Sequence, residues 1–337
     1  MKATHSDGPR AEASIDSMTS ATISPALGPL TFTPHMMERV WGGRKLATKL
    51  GRALPEGVPI GESWELVDRE DVQSVVDVGP LAGTTLHALW RTRREEIFGT
   101  GLAESARFPV LAKILDARET LSVQVHPPAS IAAALGGEAK TEMWFLLDAE
   151  PGAEVFAGLV KGTTRGDFEH ALVAGHVADC LHRLPVVAGD AIFIPSGRCH
   201  AIGGGCLIVE MQQNSDTTYR VFDWNRVGLD GQPRALHLAE SLASIDFTDH
   251  APTLAQPCGE RIVSCEYFTV DRWSLAAPRR EDSASGVIFT VLSGEVACGG
   301  RRFRMGDFFF LPATAPDRTL HPTQPSTSVL RTTLGAG

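Results

Sequence analysis

No C-x-x-C pair occurs among the six cysteines of this 337-residue chain, Cys180, Cys199, Cys206, Cys258, Cys265 and Cys298. A protein of this size needs no disulfide staple, so they are expected as reduced thiols. No apolar run approaches the ~20 residues that span a bilayer. The opening "MKATHSDGPRAEAS" also lacks the apolar core of a secretory signal. The expectation is a cytoplasmic protein with no membrane contact. Basic residues are in short supply, 31 Lys and Arg against 40 Asp and Glu, for a net charge of -9. That balance excludes a general nucleic-acid or anionic-membrane surface, and any bound anion must be met by a local basic cluster. Neither a G-x-x-x-x-G-K-[ST] run nor a G-x-G-x-x-G after a strand is present, so no nucleotide cofactor is indicated.

Hydrophobic residues make up 43% of the chain, ample for a large buried core. Residues 1–29 are rich in Ser, Thr, Ala, Gly and Pro without periodicity, the composition of a flexible leader. Folded structure is expected to begin near "PLTFTP". Helical spacing of Leu86, Leu89, Trp90, Ile97 and Phe98 predicts a helix through "TTLHALWRTRREEIFG", with shorter helices at "RGDFEHALVAG" and "ALHLAESLASI". Elsewhere short β-branched or aromatic runs, "SVQVH", "EMWFLLDA", "AEVFAG", "DAIFIP", "CLIVEMQQ", "GVIFTVL" and "DFFFLP", alternate with Gly, Pro and Asp turns. This pattern predicts a mainly β sandwich or jelly roll with inserted short helices.

An internal echo divides it. "GDAIFIPSGRCH" (189–200) and "GDFFFLPATAPD" (306–317) share a Gly-Asp turn, an apolar strand and a closing proline at the same spacing. Two β-barrel-like modules are therefore expected, a catalytic one over 30–250 and a C-terminal one over 251–337. The first copy ends in His200 and the second in Asp317, and "VIFTVLSGEVACGG" contains no histidine. Only the first module is expected to carry a site.

Its components begin at "LSVQVHPPAS" (121–130). In a strand, alternate side chains share a face, so Gln124 and His126 point one way and Val123 and Val125 the other. Glu142 opens "EMWFLLDA" on the face of Trp144 and Leu146. His200 follows a strand-ending proline and precedes glycines that permit close approach. Two imidazoles, one carboxylate and one amide oxygen suit a divalent metal. With a single anionic ligand the ion keeps positive charge for polarising a substrate oxygen.

Seven segments in fixed order, "RVWGG", "IGESWEL", "FPVLAKILDA", "LSVQVHPP", "AKTEMW", "GDAIFIPSGRCHAIG" and "EMQQNSDTTYRVFDW", resemble the type I phosphomannose isomerases of cupin fold, in their shorter bacterial form. The resemblance runs from about Pro29 to the C-terminus. It implies a zinc-dependent aldose-ketose isomerase acting on a small sugar phosphate, with one zinc per chain, interconverting mannose 6-phosphate and fructose 6-phosphate. It also implies Gln124, His126, Glu142 and His200 as ligands and Arg220 as an active-site arginine.

The chemistry needs a proton moved between neighbouring carbons and charge stabilisation for an enediolate. Glu210 is the candidate proton carrier, and Arg220 and Lys140 are the candidate stabilisers. Lys113, Ser122 and Lys140 are the local donors suited to phosphate oxygens. An Arg220–Asp223 ion pair is the competing structural reading of the arginine. "HPPAS" departs from the family pattern, which often has an acidic residue or Asn after "HP". Two rival classes share the ligand types, a non-haem iron cupin oxygenase and a metal-binding sugar sensor without turnover.

Overall fold

The computed structural model describes Met1 and residues 27–335. The expected leader lies outside the described residues apart from Met1 and its last three positions. Leu27, one of those three, is buried in the main apolar core.

A six-stranded antiparallel sheet runs in the order β1 (His35–Gly43), β2 (Ile60–Leu66), β3 (Val110–Ala117), β10 (Cys206–Gln213), β5 (Glu142–Ala149) and β8 (Ala191–Ile194). A five-stranded antiparallel sheet runs β11 (Tyr219–Phe222), β4 (Val123–Val125), β9 (His200–Ile202), β6 (Glu154–Leu159) and β7 (Leu181–Pro185). Leu115, Trp144, Leu146 and Ile208 of the first sheet meet Val155, Ala157 and Ile202 of the second in one apolar cluster. The module is thus an open sandwich and not a closed barrel. The outer face of the five-stranded sheet, bearing Val123, Val125, Ala201 and Tyr219, is covered by Phe168 and Ala171 of the helix Arg165–Ala174. Thr164 and Asp167 cap that helix reciprocally, as the Thr-x-x-Asp spacing allows.

The C-terminal module repeats the plan. A five-stranded sheet with Phe268–Leu275, Val287–Ser293, Phe308–Leu311 and Thr327–Leu334 faces a four-stranded one across Phe289, Phe303, Phe309 and Leu320. The echoed segments form Ala191–Ile194 and Phe308–Leu311, each an edge strand of its sheet. The modules stand back to back. Ala112, Ile114, Met143, Phe145 and Val209 on the outer face of the six-stranded sheet share a core with Val270, Ile288, Phe310 and Leu330. Both faces of β3 are therefore covered, and all eight of its residues are buried.

The helix expected through "TTLHALWRTRREEIFG" is two helices, Leu86–Thr92 and Arg94–Phe98, broken at Arg93 (φ -134, ψ 34). Thr92 Oγ1 donates back to the Ala88 carbonyl, a bond that bends helices. A straight helix would separate positions 90 and 98 by about 12 Å along its axis. The break instead brings the Trp90 and Phe98 rings to 5.0 Å, with Phe310 of the other module 5.0 Å beyond Phe98. Truncating Phe310 to alanine should cost about 3–5 kcal/mol in urea unfolding, because the cavity opens in the core both modules share. A cost below about 1 kcal/mol would show that the two modules do not depend on this contact. Among the described residues no helix is long and apolar enough to cross a membrane.

Candidate metal centre and active site

Strand parity places the candidate ligands. Gln124 on β4 pairs with His200 on β9 and, on its other side, with Arg220 on β11, so three polar side chains stand abreast in the five-stranded sheet. Pro127 and Pro128 end β4 and lead into a short helix at Ala129–Ala132, so "HPPAS" turns the chain just past His126. Glu142 reaches the same space from β5 in the opposing sheet, on the face of Trp144 as its alternation requires. A Cβ at Gly203 would lie 2.2 Å from the Glu154 carbonyl oxygen, so only glycine lets the chain after His200 pass this close to β6.

His126, Glu142 and His200 are almost fully buried, with their ligand atoms within 4.8 Å of one another. The two histidine Nε2 atoms each lie 3.5 Å from a Glu142 oxygen. His126 Nδ1 is 2.8 Å from the Thr217 carbonyl and His200 Nδ1 is 2.8 Å from the Arg198 carbonyl. A carbonyl only accepts, so both Nδ1 atoms carry the proton and both Nε2 lone pairs face the cluster. Burial lowers both imidazole pKa values, that of His200 to about 3, which keeps the rings neutral. The Gln124 amide lies 3.3 Å from His200 Nε2, so Gln124, both imidazole Nε2 atoms and the Glu142 carboxylate converge on one buried space. A divalent cation would satisfy these groups together, so the donor set fits a metal.

The six-stranded sheet supplies a charged floor. Glu62, Lys113, Glu210, Lys140 and Glu142 follow one another with alternating sign. Lys113 Nζ is 3.2 Å from Glu210 and 3.9 Å from Glu62, and Lys140 Nζ is 2.7 Å from Glu142 and 3.4 Å from Glu210. Burial opposes ionisation of Glu142, but the Lys140 charge beside it outweighs that and holds the carboxyl well below its usual range. Burial likewise opposes the charge on Lys140, and Glu142 and Glu210 overcome it. Glu210 goes the other way. Burial and the Glu142 charge push its pKa up to about 7, near the range in which a carboxyl can both take and give a proton.

Gln124, Lys140, Glu210, Arg220, Lys113 and Ser122 all line a cavity of about 420 Å³, whereas the buried His126, Glu142 and His200 are not part of its lining. Arg220 does not pair with Asp223. That carboxylate accepts from Arg226 and Arg234, while Arg220 donates to the Ala235 carbonyl and leaves Nε without a partner. Sequence reasoning missed Arg39, Trp41, Glu62, Asp216 and Arg234, which also line the cavity. A signal existed for Glu62. It is a carboxylate inside "IGESWEL", a strand buried at every position, and Trp64 Nε1 and Arg39 donate to it. Burial works against its charge, but Lys113 and Arg39 prevail and bring its pKa to about 2.

Residues 30–150 match the family model described as phosphomannose isomerase type I, catalytic domain. The mannose-6-phosphate isomerase ManA of Bacillus subtilis (strain 168) is 36% identical over 302 residues, covering 84% of this chain and 93% of that protein. The chain belongs to the type I phosphomannose isomerase family. A second relative in that family, the mannose-6-phosphate isomerase of Streptococcus mutans serotype c, is 36% identical over 300 residues, or 85% of this chain and 93% of its own length. The crystal structure of the mannose 6-phosphate isomerase from Bacillus subtilis superposes with a TM-score of 0.80 at 30% identity, covering 91% of this chain and 99% of that one. The phosphomannose isomerase fold therefore extends through both modules, including the one that bears no ligand cluster among its described residues.

Proposed function

We propose that this chain interconverts mannose 6-phosphate and fructose 6-phosphate through an enediol, with one zinc ion per chain held by Gln124, His126, Glu142 and His200. The observation that carries the reading is the pair of buried histidines, both fixed in the tautomer that turns Nε2 to Glu142. A divalent ion bound there supplies Lewis acidity to the sugar's oxygens.

The chain's own residues do the rest. Glu210, poised near pH 7, takes the proton from one carbon and returns it to the neighbour. Arg220, free of any carboxylate partner, and Lys140 face the oxygens on which negative charge develops. Lys140 sits 2.7 Å from Glu142, which suits it better to the reacting end than to the phosphate. Lys113 and Ser122, which also line the cavity, are assigned to the phosphate. Oxygen activation or sugar sensing would leave the elevated carboxyl of Glu210 without work, and that carboxyl favours proton transfer over either rival.

A coupled assay on purified protein, with and without chelator, tests the reading. The phosphate adds its own expectation. Free mannose should show kcat/KM lower than mannose 6-phosphate by at least about tenfold, since the remote dianion helps to position the reacting carbons. Added salt should raise KM more for the phosphate ester, as screening requires. Equal kcat/KM for the two sugars would remove Lys113 and Ser122 from a phosphate role.

A further inference from the structure

The two loops that frame the ligand cluster are stitched together, and the stitching ends on a carboxylate outside the cavity. One loop joins β4 to β5 and delivers Lys140 and Glu142. The other joins β10 to β11 and delivers the Thr217 carbonyl that accepts from His126 Nδ1. Between them Tyr219 Oη donates to the Leu135 carbonyl (2.8 Å), Glu138 N donates to Thr217 Oγ1 (2.9 Å), and Ser215 Oγ donates to the Glu138 carbonyl (3.2 Å). Thr141 and Gln213 close the far end, with Thr141 N donating to Gln213 Oε1 (2.8 Å) and Gln213 N to the Thr141 carbonyl (3.0 Å). The approach is close enough that a Cβ at Gly137 would lie 2.6 Å from Tyr219 Oη.

The Glu138 side chain leaves the seam on the side of the six-stranded sheet. Its carboxylate accepts from Arg69 at 2.9 Å and from Arg107, and Arg69 also donates to the Asn214 carbonyl at 3.2 Å. Arg69 follows β2 and Arg107 precedes β3, so the pair belongs to neither loop and anchors the seam to the six-stranded sheet. We propose that Glu138, clamped by Arg69 and Arg107, is a positioning residue that sets the Thr217 carbonyl against His126 and holds Lys140 at the reacting end. This rests on the reading of His126 as a metal ligand. Groups that orient metal-bound imidazoles from outside the ligand set alter affinity by roughly 10–100-fold when lost. Glu138 acts on His126 through Thr217, touching neither ion nor substrate.

The test uses the full chain loaded with cobalt(II), whose d–d absorption reports ligand geometry, and with zinc, whose loss to a chelator is timed. Two variants are needed. Glu138→Ala removes the clamp, and Thr217→Val cuts the Glu138 N–H link while keeping side-chain shape and the carbonyl that meets His126. Both should shift the cobalt spectrum in the same way, speed zinc loss by about tenfold, and lower kcat with KM changed less than about twofold. The double variant should lose less than the two single effects combined, because both break one chain of contacts. Spectra and zinc-loss rates equal to wild type in both variants would overturn the inference alone. A wild-type chain that takes up no metal would overturn the metal reading and the inference with it.

Discussion

His126→Ala is expected to reduce turnover of mannose 6-phosphate by on the order of a thousandfold, the several kcal/mol that a Lewis acid contributes. Metal content should fall in the same preparation. The ring is 1% exposed, its Nδ1 is committed to Thr217, and its Nε2 faces Glu142, so no neighbouring group can replace it. Fold should survive, since the lost side chain belongs to a polar cluster and not to the apolar cores. Chelation of the wild-type chain should reproduce the loss, and added zinc should reverse it in wild type but only weakly in the variant. Full activity in a metal-free His126→Ala protein would refute the assigned chemistry.

Arg220→Ala should lower kcat by about a hundredfold, the scale of losing one oriented donor in a water-poor site, with metal content near wild type. Arg220 stands in register beside Gln124 and makes no ion pair among the described residues, so it is available to developing charge on the substrate. A guanidinium stays protonated across the working range and adds no limb to the pH profile. Glu210 does. Its pKa of about 7 owes a part to the Glu142 charge, and a bound cation offsets that charge, so the limb in the loaded enzyme should fall on the acid side of 7. If Glu210 enters the cycle ionised, activity rises with pH through that limb. Glu210→Gln should flatten it while Arg220→Ala retains it. Near wild-type kcat in Arg220→Ala would leave charge stabilisation to Lys140 and the metal.

The candidate ligands could be grouped from the sequence because strand alternation assigns each of them a face. Gln124 with His126, and Glu142 with Trp144, obey a period of two that the residues alone display. β1, β2 and β3 were not read as strands. "IGESWEL" and "VLAKILDA" are buried at every position, because the second module covers the face that solvent would otherwise reach, and alternation disappears. With them went Arg39 and Glu62, and the recognition that Lys113 stands between two carboxylates. The Arg220–Asp223 pairing failed for another reason. Asp223 has two arginines competing for it, one of them eleven residues away across a turn that spacing does not reveal. The single helix around Trp90 failed because a tertiary contact, the packing of Phe98 on Trp90 and Phe310, outweighs local helical preference.

The six-stranded sheet, enclosed on both faces, gives the second module a part in chemistry it never touches. Lys113 and Glu210 project from strands whose reverse sides, through Ala112, Ile114, Val209 and Met211, are locked into a core packed like a crystal. Such a floor has little freedom to relax when a sugar phosphate arrives or when charge migrates along it. Its dipoles and charges are oriented when the chain folds, so the reorganisation that water would undergo during each turnover is largely absent. On the proposed reading the second module is a rigid electrostatic mount, and preorganisation is what its burial would contribute to rate.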